Sequence, residues 1–335
     1  MTIVTESPKI GSIFGSGRSG TTWLGTILSS HPDILYRFEP LHRLKNTNHQ
    51  VQELLQRSKS DAISSADLSR LYGAFLPAHS KIEKPPFFKK NYPMRLDFGR
   101  QFVWPIAKKS SLGEKIFNGL YTPKFSPMLI FKEVAMVDFF LQLLDVTDMP
   151  MVYLMRHPCA VVWSTVKGQK DSIMSTGRQN VLHDLLSRHD PILANRYLNR
   201  LETLSVCEKQ ALLWRIDVER AVKGCQAHQQ GLLVIYEQLA ESPLEVSQKV
   251  FNHFGLEMSP QSVSFIEEST SGQSLLLRLK RGEIWMNSYF SVFRDPKVAS
   301  NSWKDEMPRE SREQVMEVVR DSKAFEFGAT QGLWD

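Results

Sequence analysis

The sequence predicts an α/β fold: a central parallel sheet flanked by helices, with helical insertions. Three observations carry this. Apolar runs of strand length alternate with helical patterns, the first run passes through a glycine turn into a helix, and a later run does the same through an arginine and a proline. In chain order the pattern reads strand 10–14, helix 21–30, strand 34–38, strand 128–132, helix 136–145, strand 151–155, helix 159–168, strand 232–236 and helix 243–255. With 42% hydrophobic residues in a chain of 335, a large core is within reach. Val134 to Val146 is broken by Asp138, Gln142 and Asp145 at a spacing that suits an amphipathic helix against the sheet. In such a sheet, ligands bind at the carboxyl ends of the strands.

The first strand and its helix are joined by IGSIFGSGRSGTTWL, Ile10 to Leu24. Gly15, Gly17 and Gly20 permit tight backbone angles there, and Thr21, Thr22 and Trp23 begin the helix. Backbone N–H groups of such a turn converge on one point, and the helix dipole favours negative charge, so the segment reads as a phosphate site. Set against the nucleotide-binding pattern G-x-x-x-x-G-K-[ST], Gly15 and Gly20 fit, but Thr21 stands at the lysine position. The lysine that reaches the terminal phosphates of a nucleoside triphosphate is missing, and Arg18 brings a cation inside the loop instead. ATP or GTP hydrolysis is disfavoured by this exchange.

A second element follows in VYLMRHPCAVVWSTVK, Val152 to Lys167, where a strand ends at Arg156 and Pro158 opens a helix containing Ser164. Arginine offers a charged fork matched to phosphate and serine a neutral donor. The R-S-G-T-T-W loop resembles the 5′-phosphosulfate loop of sulfotransferases, which bind 3′-phosphoadenosine 5′-phosphosulfate (PAPS). The R-x-P-x-x-x-x-x-S element resembles the one that binds the 3′-phosphate of PAPS in the same family. Tyr236 to Pro243 is similar to its Y-E-x-L-x-x-x-P segment, and PKVASNSWKDEM, Pro296 to Met307, to the loop that closes over PAPS and ends in a tryptophan, here Trp303. The four elements span residues 10 to 307 in family order. The resemblance implies a P-loop-like three-layer fold and one sulfotransferase domain over 1–335. Residues 41–127 lack the regular alternation, and part of them (Lys81, Lys84, Lys89, Lys90, Arg95 and Arg100) is basic and rich in Pro and Phe, so the segment reads as an acceptor-side insertion. It also implies a PAPS-binding set of Arg18, Ser19, Gly20, Thr21, Thr22, Arg156, Ser164 and Tyr236.

Sulfuryl transfer needs in-line attack, neutralised charge at the sulfonate and leaving oxygen, and a base for the acceptor proton. By resemblance Arg18 takes the charge-stabilising role. RFEPLH, Arg37 to His42, resembles the F-E-P-L segment of carbohydrate sulfotransferases, and its Glu39 also matches the corresponding glutamate of tyrosylprotein sulfotransferases. Partial desolvation at a strand end is expected to raise the Glu39 pKa toward a working base. His42 is the second choice, because cytosolic phenol and steroid enzymes use histidine. The plain alternative for Glu39 is a helix cap or a partner of Arg37. Lys132 closes the strand MLIFK and matches a lysine near the sulfonate in the tyrosylprotein and carbohydrate branches; otherwise it is a lysine snorkelling from a strand end. Departures from the pattern are His157, where an acidic residue is usual, and the absence of a compact R-K-G-x-x-G-D-W-K loop. Lys280, Arg281 and Gly282 lie well ahead of Trp303, which leaves Ser300 or Ser302 as C-terminal contacts.

The net charge of +5 and pI near 9.0 suit an anionic cofactor and are too diffuse for nucleic acid. Cys159, Cys207 and Cys225 form no C-x-x-C pair and no zinc spacing, which fits a reducing cytoplasm and no metal. The first strand starts too near Met1 for a signal peptide or anchor, so a cytoplasmic enzyme without a membrane anchor is expected. The expected reaction is metal-independent transfer from PAPS to a hydroxyl, or second to an amine, of a small-molecule or carbohydrate acceptor. The competing readings are a nucleotide-dependent kinase or NTPase, and a non-catalytic PAPS-binding relative.

Overall fold

The computed structural model describes residues 9–60, 63–173, 177–271 and 291–334. Five strands form one wholly parallel sheet: β1 (Ile10–Gly15), β2 (Ile34–Phe38), β3 (Met128–Lys132), β4 (Met151–Met155) and β5 (Gly231–Ile235). The spatial order is β2-β3-β1-β4-β5. β1 is central and buried throughout, which its glycine-punctuated apolar run permits. Side chains alternate between the two faces as a strand requires. Phe14, Leu129, Phe131, Met151 and Tyr153 enter one core, while Ile13, Ile130, Val152 and Leu154 enter the other. Helices cover both faces, so the predicted three-layer α/β class and its parallel sheet are observed.

Connections from β1 and β4 leave in opposite directions across the sheet, which opens a crevice at the carboxyl ends of these neighbours. Helix α1 (Thr21–Ser30) follows β1, and the helix Pro158–Lys170 follows β4. The expected strand at 232–236 is shifted by one residue: β5 ends at Ile235 and Tyr236 begins the helix Tyr236–Glu241.

Between β2 and β3 the chain forms helices α2 (Pro40–Leu44), His49–Ser60, Ala66–Phe75, Arg100–Ala107 and Ser111–Tyr121, with no strand among the described residues. A buried ionic cluster ties this segment to the sheet. Arg37 of β2 is fully buried, donates from Nε to the Phe75 carbonyl at 2.6 Å and pairs with Glu83 at 2.6 Å, and Arg100 bonds the other Glu83 oxygen. Lys90 donates to the carbonyls of Ser29, His31 and Ile34 at 2.6 to 3.0 Å, a cation on the carboxyl end of α1. The helices Arg100–Ala107 and Ser111–Tyr121 share a small core of their own around Trp104, Phe117 and Tyr121.

Candidate active site

The loop after β1 turns on Ser19, whose hydroxyl and N–H both donate to the Ser16 carbonyl, at 2.7 and 3.2 Å. Among the described residues the N–H groups of Gly17, Gly20, Thr21 and Thr22 have no protein acceptor, which leaves an anion cradle at the start of α1. Gly20 has φ 93°, and a Cβ there would lie 2.3 Å from the Tyr236 ring, so glycine is required twice over. Ser19 is buried off the cavity wall, and its side chain shapes the loop instead of facing a ligand. The other predicted cofactor residues, Arg18, Gly20, Thr21, Thr22, Arg156, Ser164 and Tyr236, all line one cavity of about 980 Å³.

Arg18 reaches across the crevice, donating from Nε to Ser164 Oγ at 3.0 Å. Arg156 donates to the Arg18 carbonyl at 3.0 Å and to the Ala299 carbonyl, and its guanidinium lies 4.5 Å from the centre of the Tyr236 ring. Its backbone is braced on both sides. Trp214 Nε1 donates to the Arg156 carbonyl at 3.1 Å, and the His157 N–H donates to the half-buried Glu237 carboxylate at 3.1 Å. Burial pushes the Glu237 carboxyl up, against the lowering pull of Arg156. His157 accepts from the Cys159 N–H and stacks on Trp303 at 4.4 Å, so an aromatic ring here caps one helix and anchors another. Trp303 sits in the helix Pro296–Glu306 rather than at a loop end. Of the two C-terminal serines, Ser302 lines the cavity, whereas Ser300 donates to the Lys297 carbonyl within its own helix. Lys280, Arg281 and Gly282 lie outside the described residues.

Across the cavity, Lys132 Nζ is 2.6 Å from Glu39 Oε1, and Arg43 donates to Glu39 Oε2 at 3.1 Å. Lys132 is only 2% exposed, which excludes the snorkelling alternative. Arg37 points away into its own cluster, so Glu39 is not its partner, and Glu39 makes no side-chain cap to α2. The expected rise in the Glu39 pKa is corrected. Burial does push the carboxyl up, but the ammonium of Lys132, with Arg43 and Lys84 behind it, holds it down to about 2. His42 is engaged elsewhere: its Nδ1 lies 2.6 Å from the fully buried Glu133, and it is not part of the cavity wall.

Arg18 and Glu39 share a further property. Both are non-glycine residues with positive φ, 68° and 51°, and each follows a strand end, β1 and β2. Left-handed backbone at such residues costs about 1 to 3 kcal/mol and persists where the surroundings over-determine it. Here the Glu39 N–H donates to the Lys132 carbonyl at 2.8 Å, which fixes the pair of strand ends together.

Residues not singled out by motif complete the wall. Arg43, Ser80, Lys81, Lys84, Trp104 and Lys108 come from the segment between β2 and β3. Burial and the nearby Arg43 push the Lys108 ammonium down. A run of lysines near prolines was visible in the sequence, but nothing in its spacing marked which of them face the cavity. Among the described residues no group of three His, Cys, Asp or Glu side chains forms a metal-ligand set, and no helix is long and apolar enough to cross a membrane.

The chain is 22% identical to carbohydrate sulfotransferase 5 of Mus musculus over 335 aligned residues, covering 91% of this chain and 77% of that protein. Among solved structures it is similar to the sulfotransferase domain from the curacin biosynthetic pathway, with TM-score 0.49, 13% identity and coverage of 98% and 99%. It is also similar to mouse sulfotransferase SULT7A1 complexed with PAP, with TM-score 0.46, 12% identity and coverage of 98% and 89%. The profile described as "Sulfotransferase family" matches residues 12–260, most of the chain and both phosphate elements, and the chain therefore belongs to the PAPS-dependent sulfotransferase family.

Proposed function

We propose that this protein transfers the sulfuryl group of PAPS to a hydroxyl, or second to an amine, of a small-molecule or carbohydrate acceptor, releasing adenosine 3′,5′-bisphosphate. The observation that carries this reading is the Lys132–Glu39 pair standing in the wall of the same cavity as the glycine loop and Arg156. Mere nucleotide binding has no use for a half-buried carboxylate paired with a buried ammonium on the far wall.

The residues present fit PAPS. The unpartnered N–H groups of Gly20, Thr21 and Thr22 would hold the 5′-phosphosulfate, and Arg156 with Ser164 would hold the 3′-phosphate. PAPS supplies an activated sulfuryl group; the protein supplies position, charge and a base. Arg18 and Lys132 are the cations placed to stabilise charge at the transferred group and leaving oxygen, a role worth 10²–10³-fold in rate for a single donor. No metal is given a part in this reading.

Glu39 is the base. With its pKa near 2 it is ionised and ready to accept, but too weak a base while Lys132 is bound to it. An anionic sulfonate competes for the Lys132 ammonium. As that ammonium leaves Glu39, burial is the influence that remains strongest, and the carboxylate becomes more basic when the acceptor hydroxyl must lose its proton. Proton acceptance is thus coupled to an occupied donor site.

The acceptor half of the wall carries Arg43, Lys81, Lys84 and Lys108, while its carboxylates Glu39 and Glu83 are each already paired with two cations. This balance favours an acceptor that bears an anionic group beside its hydroxyl, and Trp104 offers a flat apolar face for a ring. A kinase or NTPase reading has Thr21 in place of the phosphate-reaching lysine. A cytoplasmic setting accords with three cysteines that are buried free thiols.

The test is transfer of labelled sulfur from PAPS to paired acceptors with and without a carboxylate, phosphate or sulfate. Glu39→Gln should lower kcat by about 10²–10⁴-fold while leaving adenosine 3′,5′-bisphosphate affinity intact. Full activity of that variant, or label transferred equally well to neutral acceptors, would remove respectively the base assignment and the charge preference.

A further inference from the structure

Among the described residues, the segment that supplies the acceptor wall also carries most of the exposed large hydrophobic side chains. Of eleven exposed large hydrophobic residues among the described ones, six fall within residues 98–125: Phe98, Phe102, Ile106, Leu112, Ile116 and Phe125. They belong to the helices Arg100–Ala107 and Ser111–Tyr121 and the chain beside them. These two helices bury Trp104, Ala107, Phe117 and Tyr121 in their shared core, so the six exposed residues are what remains on the water side. Phe102 and Ile106 are four apart, as are Leu112 and Ile116, so each pair occupies one stripe of its helix. The hairpin is tightly closed: a Cβ on Gly113 would lie 2.9 Å from the Ile106 carbonyl, and Tyr121 Oη donates to the Phe98 carbonyl at 3.0 Å. Phe98 therefore sits at the far end of the second helix, and the apolar residues run along the whole hairpin.

The exposed charges around this surface are predominantly positive, with Glu114 half-buried on the second helix. Exposed Arg95, Lys108, Lys109, Lys115 and Lys124 accompany the six apolar residues, against a single exposed acid, Asp97. Exposed aromatic and aliphatic side chains among lysines are the composition of an element that lies in the interface of an anionic bilayer, where apolar burial and lipid charge act together. A second copy of this chain would bring another such basic rim against the first, which like-charge repulsion opposes.

We infer that residues 98–125 form a peripheral docking surface for an anionic phospholipid bilayer. The placement gives it a purpose: Trp104 and Lys108, on the first of these helices, also line the cavity, so the docked membrane lies beside the acceptor wall. The inference concerns attachment only and holds whatever the acceptor is.

The test is co-sedimentation of the intact chain with phosphatidylcholine vesicles, with and without phosphatidylglycerol, at low and high salt. Binding is expected to the anionic vesicles and to weaken as salt screens the charges. Phe102→Asp with Ile106→Asp should abolish it, and Phe125→Asp, in the chain after the hairpin, should weaken it. Lys109→Ala with Lys115→Ala should weaken it roughly 30-fold. Unchanged melting temperature and unchanged adenosine 3′,5′-bisphosphate binding show that each variant is folded and that the nucleotide site is untouched. Three outcomes would overturn the inference: no binding of the wild type to anionic vesicles, binding indifferent to the aspartates, or a wild-type dimer that Phe102→Asp converts to monomer.

Discussion

The two halves of the cavity, which the proposed function assigns to the nucleotide and to the acceptor, are built by different means. The nucleotide half is made of short contiguous pieces, a loop at 15–22 and a strand end at 156, each positioned by the helix that follows it. In the acceptor half Glu39 and Lys132 stand on adjacent strand ends of the same sheet, whereas residues 80–84 and 104–108 come from the segment between β2 and β3, which a buried ionic cluster ties to β2. The first half and the Glu39–Lys132 pair survive wherever the sheet survives, whereas the remaining acceptor wall depends on a few buried polar bonds.

The largest effect expected from that contrast falls on Arg37, which does not line the cavity. Arg37→Ala leaves Glu83 with Arg100 alone and frees the carbonyls of Phe75, Leu76 and Pro77. Urea unfolding should show a loss of about 3–5 kcal/mol, and acceptor KM should rise in whatever protein remains folded, with less change in nucleotide affinity. Next is Arg18→Ala, which should lower kcat by about 10²–10³-fold in the labelled-sulfur assay with stability nearly unchanged.

Gly20→Ala comes third. It combines a left-handed backbone with a collision against Tyr236, and should cost about 1–3 kcal/mol in adenosine 3′,5′-bisphosphate binding measured by calorimetry. Gly17→Ala is its control, because a Cβ there meets nothing within 4 Å.

The subtlest prediction is a pH effect. Glu39 has its carboxyl held near 2, below the ordinary 4.5, so the stability it contributes is present above about 4.5 and is lost as pH falls toward 2. Lys132→Met removes the principal cation and leaves burial to raise the carboxyl. The acid-unfolding midpoint should then move to higher pH. An unmoved midpoint would mean that Arg43 and Lys84 suffice to hold Glu39 down.

The same contrast explains what the sequence could and could not reveal. β1, β2, β3 and β4 were legible because each is a short apolar run closed by a residue of distinct chemistry: Gly15, the Phe38–Glu39 step, Lys132 and Arg156. The turn-closing bond of the Ser19 side chain was not legible, because a motif names a position without saying which way its side chain points. The Glu39 pKa was read in the wrong direction because Lys132, ninety-three residues away in the chain, could be placed near the sulfonate but not onto the carboxylate. Trp214 and Glu237, which brace Arg156, were silent for a similar reason. Trp214 lies inside a helix and Glu237 at the start of one, and neither spacing points at Arg156. In the acceptor half, Lys81 and Lys84 were legible only as part of a basic stretch of the acceptor-side insertion and Lys108 not at all, since the buried cluster that orients their segment has no periodic signature.

The central claim is that the glycine loop and Arg156 together form a site for a 3′,5′-bisphosphorylated adenosine. The most direct measurement is the thermal stability of wild type and Arg156→Ala with adenosine 3′,5′-bisphosphate, ADP, or ATP with Mg²⁺. At a hundredfold excess over Kd the bisphosphate should stabilise the wild type by about 2.7 kcal/mol, with ADP and ATP far behind and most of the effect lost in the variant. Equal stabilisation by ATP, or a bisphosphate response untouched by Arg156→Ala, would contradict the account.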